Sequence, residues 1–380
     1  MIKFRSFVSI FSGEVFFKIF NLGTIFLLSL LPDPSLLVTF AIVNSLIVLI
    51  FDTTNNYLLH NCVNLAKPLS LYLSVLLLFG ILFGVSFSLL EGWSIEILSL
   101  TSMAVTFSVL NFVRTDFQLV GDFRSMANLS IIRSTPPFIL ANIFYFGGLS
   151  DKVYFFAGIT VINIVILIAY LPNLFRIFVT KTLNIFALKG LNVPIMAYLV
   201  VLSIFSQFDF LILSRMFDST DLAEIIVLQR LVSIPAIFVT AANSVIFPFI
   251  QKDTKSIETK KMIVFTTALS VLVSAIGMFL LPFFIKGTSS TTGIYFGIIV
   301  LFTILGTLNI ERANRLLSNG FHKILALYFL ASLVIKALII FIGFSSNLSA
   351  IVILSLSLPA GLIVFNFLTW KLHETKYSFS

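Results

Sequence analysis

The sequence predicts an all-α polytopic membrane protein of about twelve transmembrane helices in two six-helix bundles related by a parallel repeat, with both termini cytoplasmic. Three observations predict it. Of 380 residues, 59% are hydrophobic, 44 are Phe and only 11% are charged; a soluble chain of this length needs far more polar surface. Apolar runs near twenty residues recur from end to end, without the short alternating segments of a membrane β-barrel. Basic residues gather on one side of the resulting layout, as the positive-inside rule requires.

The spans are taken at 7–31, 35–59, 69–90, 97–120, 127–149, 152–175, 193–217, 221–247, 262–285, 292–317, 321–344 and 348–370. The first carries Glu14 and Lys18 and no small-residue cleavage site, so it reads as a membrane helix and not a cleavable signal. Turn chemistry marks the breaks: LPDPS at 31–35, AKP at 66–68, GGLSDK at 147–152, FDSTD at 217–221 and KGTSS at 286–290. Pro136-Pro137, Pro172, Pro235, Pro282 and Pro359 are expected to interrupt helices and supply kinks. With a cytoplasmic N-terminus, eighteen Lys and Arg lie in cytoplasmic loops or at helix ends facing that side, Arg114, Arg133, Arg312 and Arg315 among them. Only Lys152, Arg215 and Lys286 fall opposite. The net charge of +8 is therefore topological, and no basic run interleaved with aromatics points to nucleic acid.

The longest connection, 176–192, reads RIFVTKTLNIFALKGLN and is expected to form an amphipathic helix in the cytoplasmic interface. It divides a first bundle, 1–175, from a second, 193–380. Two sequence echoes support a repeat. LNFVRTDFQLVGDFR (110–124) matches LNIERANRLLSNGFH (308–322), and LLPDPSLLVTFAIVNSL (30–46) matches MFDSTDLAEIIVLQRL (216–231). Six helices per half return the chain to the same face, which makes the repeat parallel.

Charges at membrane depth are where function is sought. Asp209 and Arg230 lie eight and nine residues inside the turn between spans seven and eight, so both reach roughly 12–14 Å below the outer face. Adjacent antiparallel helices could pair them structurally; alternatively, Arg230 meets substrate and Asp209 a coupling ion. Ser233 and Thr240 continue the polar stripe from Arg230, and Asn44 is its repeat counterpart. Glu14 and Lys18, spaced i, i+4, form either a local salt bridge or a cavity wall, with Asp52 at similar depth. Lys336 has no local partner in its span, so it should face a cavity or an acidic group. Arg114 and Asp116 read first as interface anchors, though a basic cytoplasmic mouth would also attract an anionic headgroup. The candidate substrate cations are thus Arg230, Lys18, Lys336 and Arg114, and the candidate ion-coupling carboxylates are Asp209, Glu14 and Asp52.

Cys62 is the single cysteine, and His60, His322 and His373 are too scattered for a metal site. No ATP-binding loop GxxxxGK[ST] occurs, no loop can hold a soluble catalytic domain, and no cofactor or catalytic residue is expected.

QFDFLILSRMF, DSTDLAEIIVLQRLVSIP, NSVIFPFI, the second span's end FDTTNNYLLHN and FVRTDFQLVGDFR together resemble the Wzx-like polysaccharide repeat-unit (O-antigen) flippases of the multidrug/oligosaccharidyl-lipid/polysaccharide exporter superfamily. The resemblance covers most of the chain in topology; spans eleven and twelve match only as hydrophobic stretches. It implies transport of an undecaprenyl-pyrophosphate-linked oligosaccharide across the bacterial inner (cytoplasmic) membrane for O-antigen or capsule synthesis. It further implies coupling to H⁺ or Na⁺, and work beside a glycan polymerase and glycosyltransferases. Within the superfamily, a lipid II flippase is hard to separate by sequence. A multidrug exporter would favour acidic, aromatic walls, against which Arg230, Lys18 and Lys336 argue. Outside it, a glycan polymerase lacks its long outer loop here, and an O-acyltransferase lacks a mid-helix His.

Overall fold

The computed structural model describes residues 4–47, 95–120, 122–179, 193–218 and 310–377, with scattered positions between 221 and 298. Among these the chain is helix joined by turns. The helices are α1 (Phe4–Ser29), α2 (Ser35–Ile47), α3 (Ile95–Val120), α4 (Phe123–Gly147), α5 (Lys152–Ala169), α6 (Leu171–Val179), α7 (Val193–Leu213), α8 (Ile310–Ser318), α9 (His322–Ser345) and α10 (Ala350–Tyr377). Among the described residues five segments are long and apolar enough to cross a membrane: Ile97–Phe117, Lys152–Ala169, Val193–Leu213, His322–Ser345 and Ala350–Thr375. Large apolar side chains on their outer faces are open to the surroundings, for example Tyr154, Val161, Val165, Phe341 and Phe367. Such faces suit lipid, and the protein is a helical multi-pass membrane protein.

The helix ends follow the turn chemistry. Asp33 stops the LPDPS turn by accepting from the Ser35 amide at 2.8 Å and the Ser35 hydroxyl at 2.6 Å, which holds its carboxyl below the usual carboxylate value. Asp122 caps α4 through the Ser125 amide at 3.1 Å, and Asp151 caps α5 through Val153 and Tyr154. α4 ends on Gly148 in the left-handed region at φ 63°, where a Cβ would be strained.

The prolines behave differently from expectation. α4 runs unbroken through Pro136 and Pro137, and α10 through Pro359. Helix packing in a membrane protein holds such segments helical despite the missing amide bonds. Pro172 does stand at a break: α5 ends at Ala169, Tyr170 turns, and Pro172 occupies the first turn of α6, where no amide partner is lost. α6 places Leu171 and Phe175 outward and covers only the start of the expected 176–192 connector, whose remainder from 180 lies outside the described residues.

The chain divides into two compact units, Met1–Leu199 and Val200–Ser380. In the first, α1 packs chiefly on α4, and α3 on α5. Gly13 makes the α1–α4 approach possible, since a Cβ there would come within 2.7 Å of the Ala127 backbone. In the second, α9 packs on α10, with Gly343 admitting Ile353 across the interface. Phe205, Phe329 and Phe365 join α7, α9 and α10, the last two rings stacked at 3.9 Å.

Candidate functional site

Two groups of charged side chains sit inside the helix packing, one in each unit. In the second unit, Asp209 on α7 and Lys336 on α9 are both 0% exposed. The Lys336 Nζ lies 2.5 Å from Asp209 Oδ2 and donates to the Phe205 carbonyl at 3.0 Å. It also stands 3.9 Å from the centroid of the Phe205 ring. Ser357, on α10, donates to the other carboxylate oxygen of Asp209 at 2.7 Å. Each helix therefore contributes one part: α7 the acid and carbonyl, α9 the cation, α10 the hydroxyl. Gly361, one turn beyond Ser357, leaves the space in which the lysine stem lies; a Cβ there would come 2.8 Å from Lys336 Cε. Buried charges persist only when paired and hydrogen-bonded in this way.

In the first unit, α3 and α4 exchange two cross-links one turn apart. The Arg114 Nε donates to Ser130 Oγ at 2.7 Å, and Arg133 donates to Asn111 Oδ1. Asn111 and Arg114 are i, i+3 on α3, as Ser130 and Arg133 are on α4, so two guanidiniums share one face between the helices. Arg133 is buried, its guanidinium 4.4 Å from the Phe17 ring and 4.8 Å from Phe107. Arg114 is half-buried, Asp116 is buried two residues on, and half-buried Lys18 stands 5.9 Å from Phe17 on α1.

The Asp209 carboxylate is thus engaged by Lys336 and Ser357; the Arg230 that equal depth suggested as its partner lies outside the described residues. Depth along a hairpin fixes height in the membrane but not the direction a side chain points, and Asp209 points at α9 and α10. Lys336 was expected to meet a cavity or an acid, and it meets the acid. Lys18 and Arg114 fall in the first-unit cluster, and Asn44 is half-buried on α2. Glu14 lies on α1, but its side chain is outside the described residues, as are Asp52, Arg230, Ser233 and Thr240.

Three participants escaped the sequence reading. Arg133 was counted only as a helix-end charge facing the cytoplasmic side, although it stands six residues into its expected span; a Phe-rich first helix was the available signal. Ser357 and Gly361 are spaced i, i+4 in the last span, the small-residue spacing of close helix contacts. Among the described residues no group of His, Cys, Asp and Glu could hold a metal ion.

The sequence offsets of the two echoes carry Asp209 to Gly23 and Lys336 to Phe138. Those two residues also touch: a Cβ on Gly23 would lie 2.6 Å from the Phe138 ring. Where the second unit has an ion pair, the positions that the echoes align in the first have a ring against a bare backbone.

An outward-facing multidrug resistance MATE family transporter of the MOP superfamily superposes with a TM-score of 0.67 at 14% identity, over 98% of this chain and 95% of that one. The fold is that of the MATE transporters. A MATE structure in complex with MaL6 gives 0.65 at 14%, covering 98% and 95%. A variant of the Vibrio cholerae MATE transporter VcmN gives 0.64 at 15%, covering 99% and 96%. No protein-family model matches the sequence, and no curated protein sequence does. The MATE fold belongs to the superfamily in which the sequence resemblance lies.

Proposed function

We propose that this chain is a transporter that moves an undecaprenyl-pyrophosphate-linked oligosaccharide across the bacterial inner membrane, for O-antigen or capsule synthesis, by alternating access. The MATE fold supports transport. The observation that carries the cargo class is the α3–α4 face, where Arg114 and Arg133 stand one turn apart with Lys18 on the neighbouring helix. Guanidinium groups present planar, paired donors that match phosphate oxygens, and a diphosphate needs such donors to replace its water at membrane depth. Arg133 shares one donor with Asn111 and its ring faces with Phe17 and Phe107. Exchange with H⁺ or Na⁺ at a buried carboxylate supplies the driving force, and glycosyltransferases and a glycan polymerase act before and after the transfer.

A multidrug exporter is the second reading. Its support is that Lys336 is neutralised by Asp209, so this lysine no longer weighs against a cationic cargo. The two readings separate in proteoliposomes. A fluorescent pyrophosphate-linked oligosaccharide on undecaprenol should be moved by the wild type, and Arg133→Ala should slow it about tenfold or more, with Arg133→Lys in between. Transport of a lipophilic organic cation with no movement of the lipid-linked glycan would reverse the assignment.

A further inference from the structure

The surroundings of the Lys336 ammonium have a specific chemistry. Its Nζ contacts a carboxylate oxygen at 2.5 Å and a backbone carbonyl at 3.0 Å, with a phenyl face 3.9 Å away. The second carboxylate oxygen is fixed by the Ser357 hydroxyl at 2.7 Å. The Phe205 carbonyl is free to take a second bond, because its helical partner, the Asp209 amide one turn on, uses only one lone pair. One anionic carboxylate oxygen and one backbone carbonyl are hard-oxygen donors of the kind that take a small cation, and the Ser357 hydroxyl holds the carboxylate in place for it. Gly361 opens the slot through which the lysine stem reaches it, since a Cβ would meet Cε at 2.8 Å and Cγ at 2.9 Å.

We propose that Lys336 is a tethered cation: its ammonium permanently occupies a monovalent-cation site built from the Asp209 carboxylate, which Ser357 holds in place, and the Phe205 carbonyl. The second unit then takes up no exchangeable metal ion at Asp209, and Na⁺ cannot couple transport there. A free ion competes for such a site according to its concentration, whereas a tethered one is always present. Cutting the side chain back to Cβ leaves a slot of roughly two to three water volumes, at about 30 Å³ each, facing an unpaired buried carboxylate. A small cation is the group that restores neutrality in that slot.

This deepens the ion-coupling part of the proposed function and needs no knowledge of the cargo. Thermal unfolding of the purified full-length protein is measured in NaCl, in ethylammonium chloride and in N-methyl-D-glucamine chloride, at one pH and ionic strength. The wild type should melt within about 1 °C in all three, while Lys336→Ala should gain about 2 °C or more in Na⁺ or ethylammonium over N-methyl-D-glucamine. The gain should vanish in Asp209→Asn/Lys336→Ala. If Lys336→Ala is not recovered folded in any of these salts, Lys336→Ser takes its place with the same readout. Absence of a cation-dependent gain in the truncated variant overturns the proposal. So does a Na⁺-dependent gain in the wild type that Asp209→Asn removes. Because melting involves no cargo, either result leaves the lipid-linked-glycan reading to its own transport assay.

Discussion

At positions that the two sequence echoes align, helix contacts close in opposite ways. In the first, Gly23 on α1 receives the Phe138 ring of α4; in the second, Asp209 on α7 receives the Lys336 ammonium of α9. The ring contact satisfies itself by dispersion and leaves nothing to compensate. The ion pair carries a desolvation cost that only its full set of partners offsets, and it fails as a unit when one partner goes. The first unit keeps its cations elsewhere, on the α3–α4 face, where hydroxyl, amide and phenyl groups hold Arg114 and Arg133. The lesson is a division of labour. The second unit encloses the Asp209–Lys336 pair and neutralises it internally; the first holds two guanidiniums one turn apart between α3 and α4, with Asp116 buried two residues on from Arg114.

The comparison is broken or sharpened by four measurements. The largest effect is expected at the pair itself. Asp209→Ala should destabilise the protein by about 3–5 kcal/mol, and adding Lys336→Met should recover much of that loss, a coupling that a double-mutant cycle of thermal melts reads directly. Additive losses would mean that the two residues do not act as a unit. Next, Ser357→Ala strips one carboxylate oxygen of its donor and should cost about 1.5–3 kcal/mol in the same melts. The two glycines come third. Gly361→Ala should cost about 1–3 kcal/mol, because the lysine it would strike is pinned by three contacts, whereas Gly23→Ala should cost less than about 1 kcal/mol, because the Phe138 ring can swing aside. Equal costs would erase the distinction between the two contacts. The smallest effect lies outside both. Asp122→Ala should cost about 1 kcal/mol through loss of the α4 cap. Hydrogen bonds from Ser125 hold the Asp122 carboxyl below its usual 3.8. Its contribution is therefore fully present above pH 3.8 and is lost as pH falls through the lower folded value, so the difference between wild type and Asp122→Ala should shrink in acid.

Much of the helical layout was legible because it rests on local chemistry. The Asp33 and Asp151 turns stand where Pro, Gly and Asp cluster, and α7, α9 and α10 begin within two residues of the expected spans. Pro136, Pro137 and Pro359 do not end their helices, because whether a helix continues past a proline depends on the neighbours packed around it, and neighbours are not visible in one segment; Pro235 and Pro282 lie outside the described residues. The site was half legible. Asp209 and Lys336 stood out as costly charges in apolar runs, and Lys336 was expected to meet a cavity or an acid, yet the two were not matched to each other.

The sequence by itself determined that this is a multi-pass helical membrane protein with expensive buried charges, since apolar length and turn chemistry are properties of contiguous residues. Only the tertiary structure decided that Asp209, 127 residues from Lys336 and 148 from Ser357, closes on both of them, and that Arg133 lies inside the packing and not at its edge. A charge buried in a helix bundle takes its meaning from the facing helix. Which helix faces it is set by packing over the whole unit, and no local pattern encodes that choice.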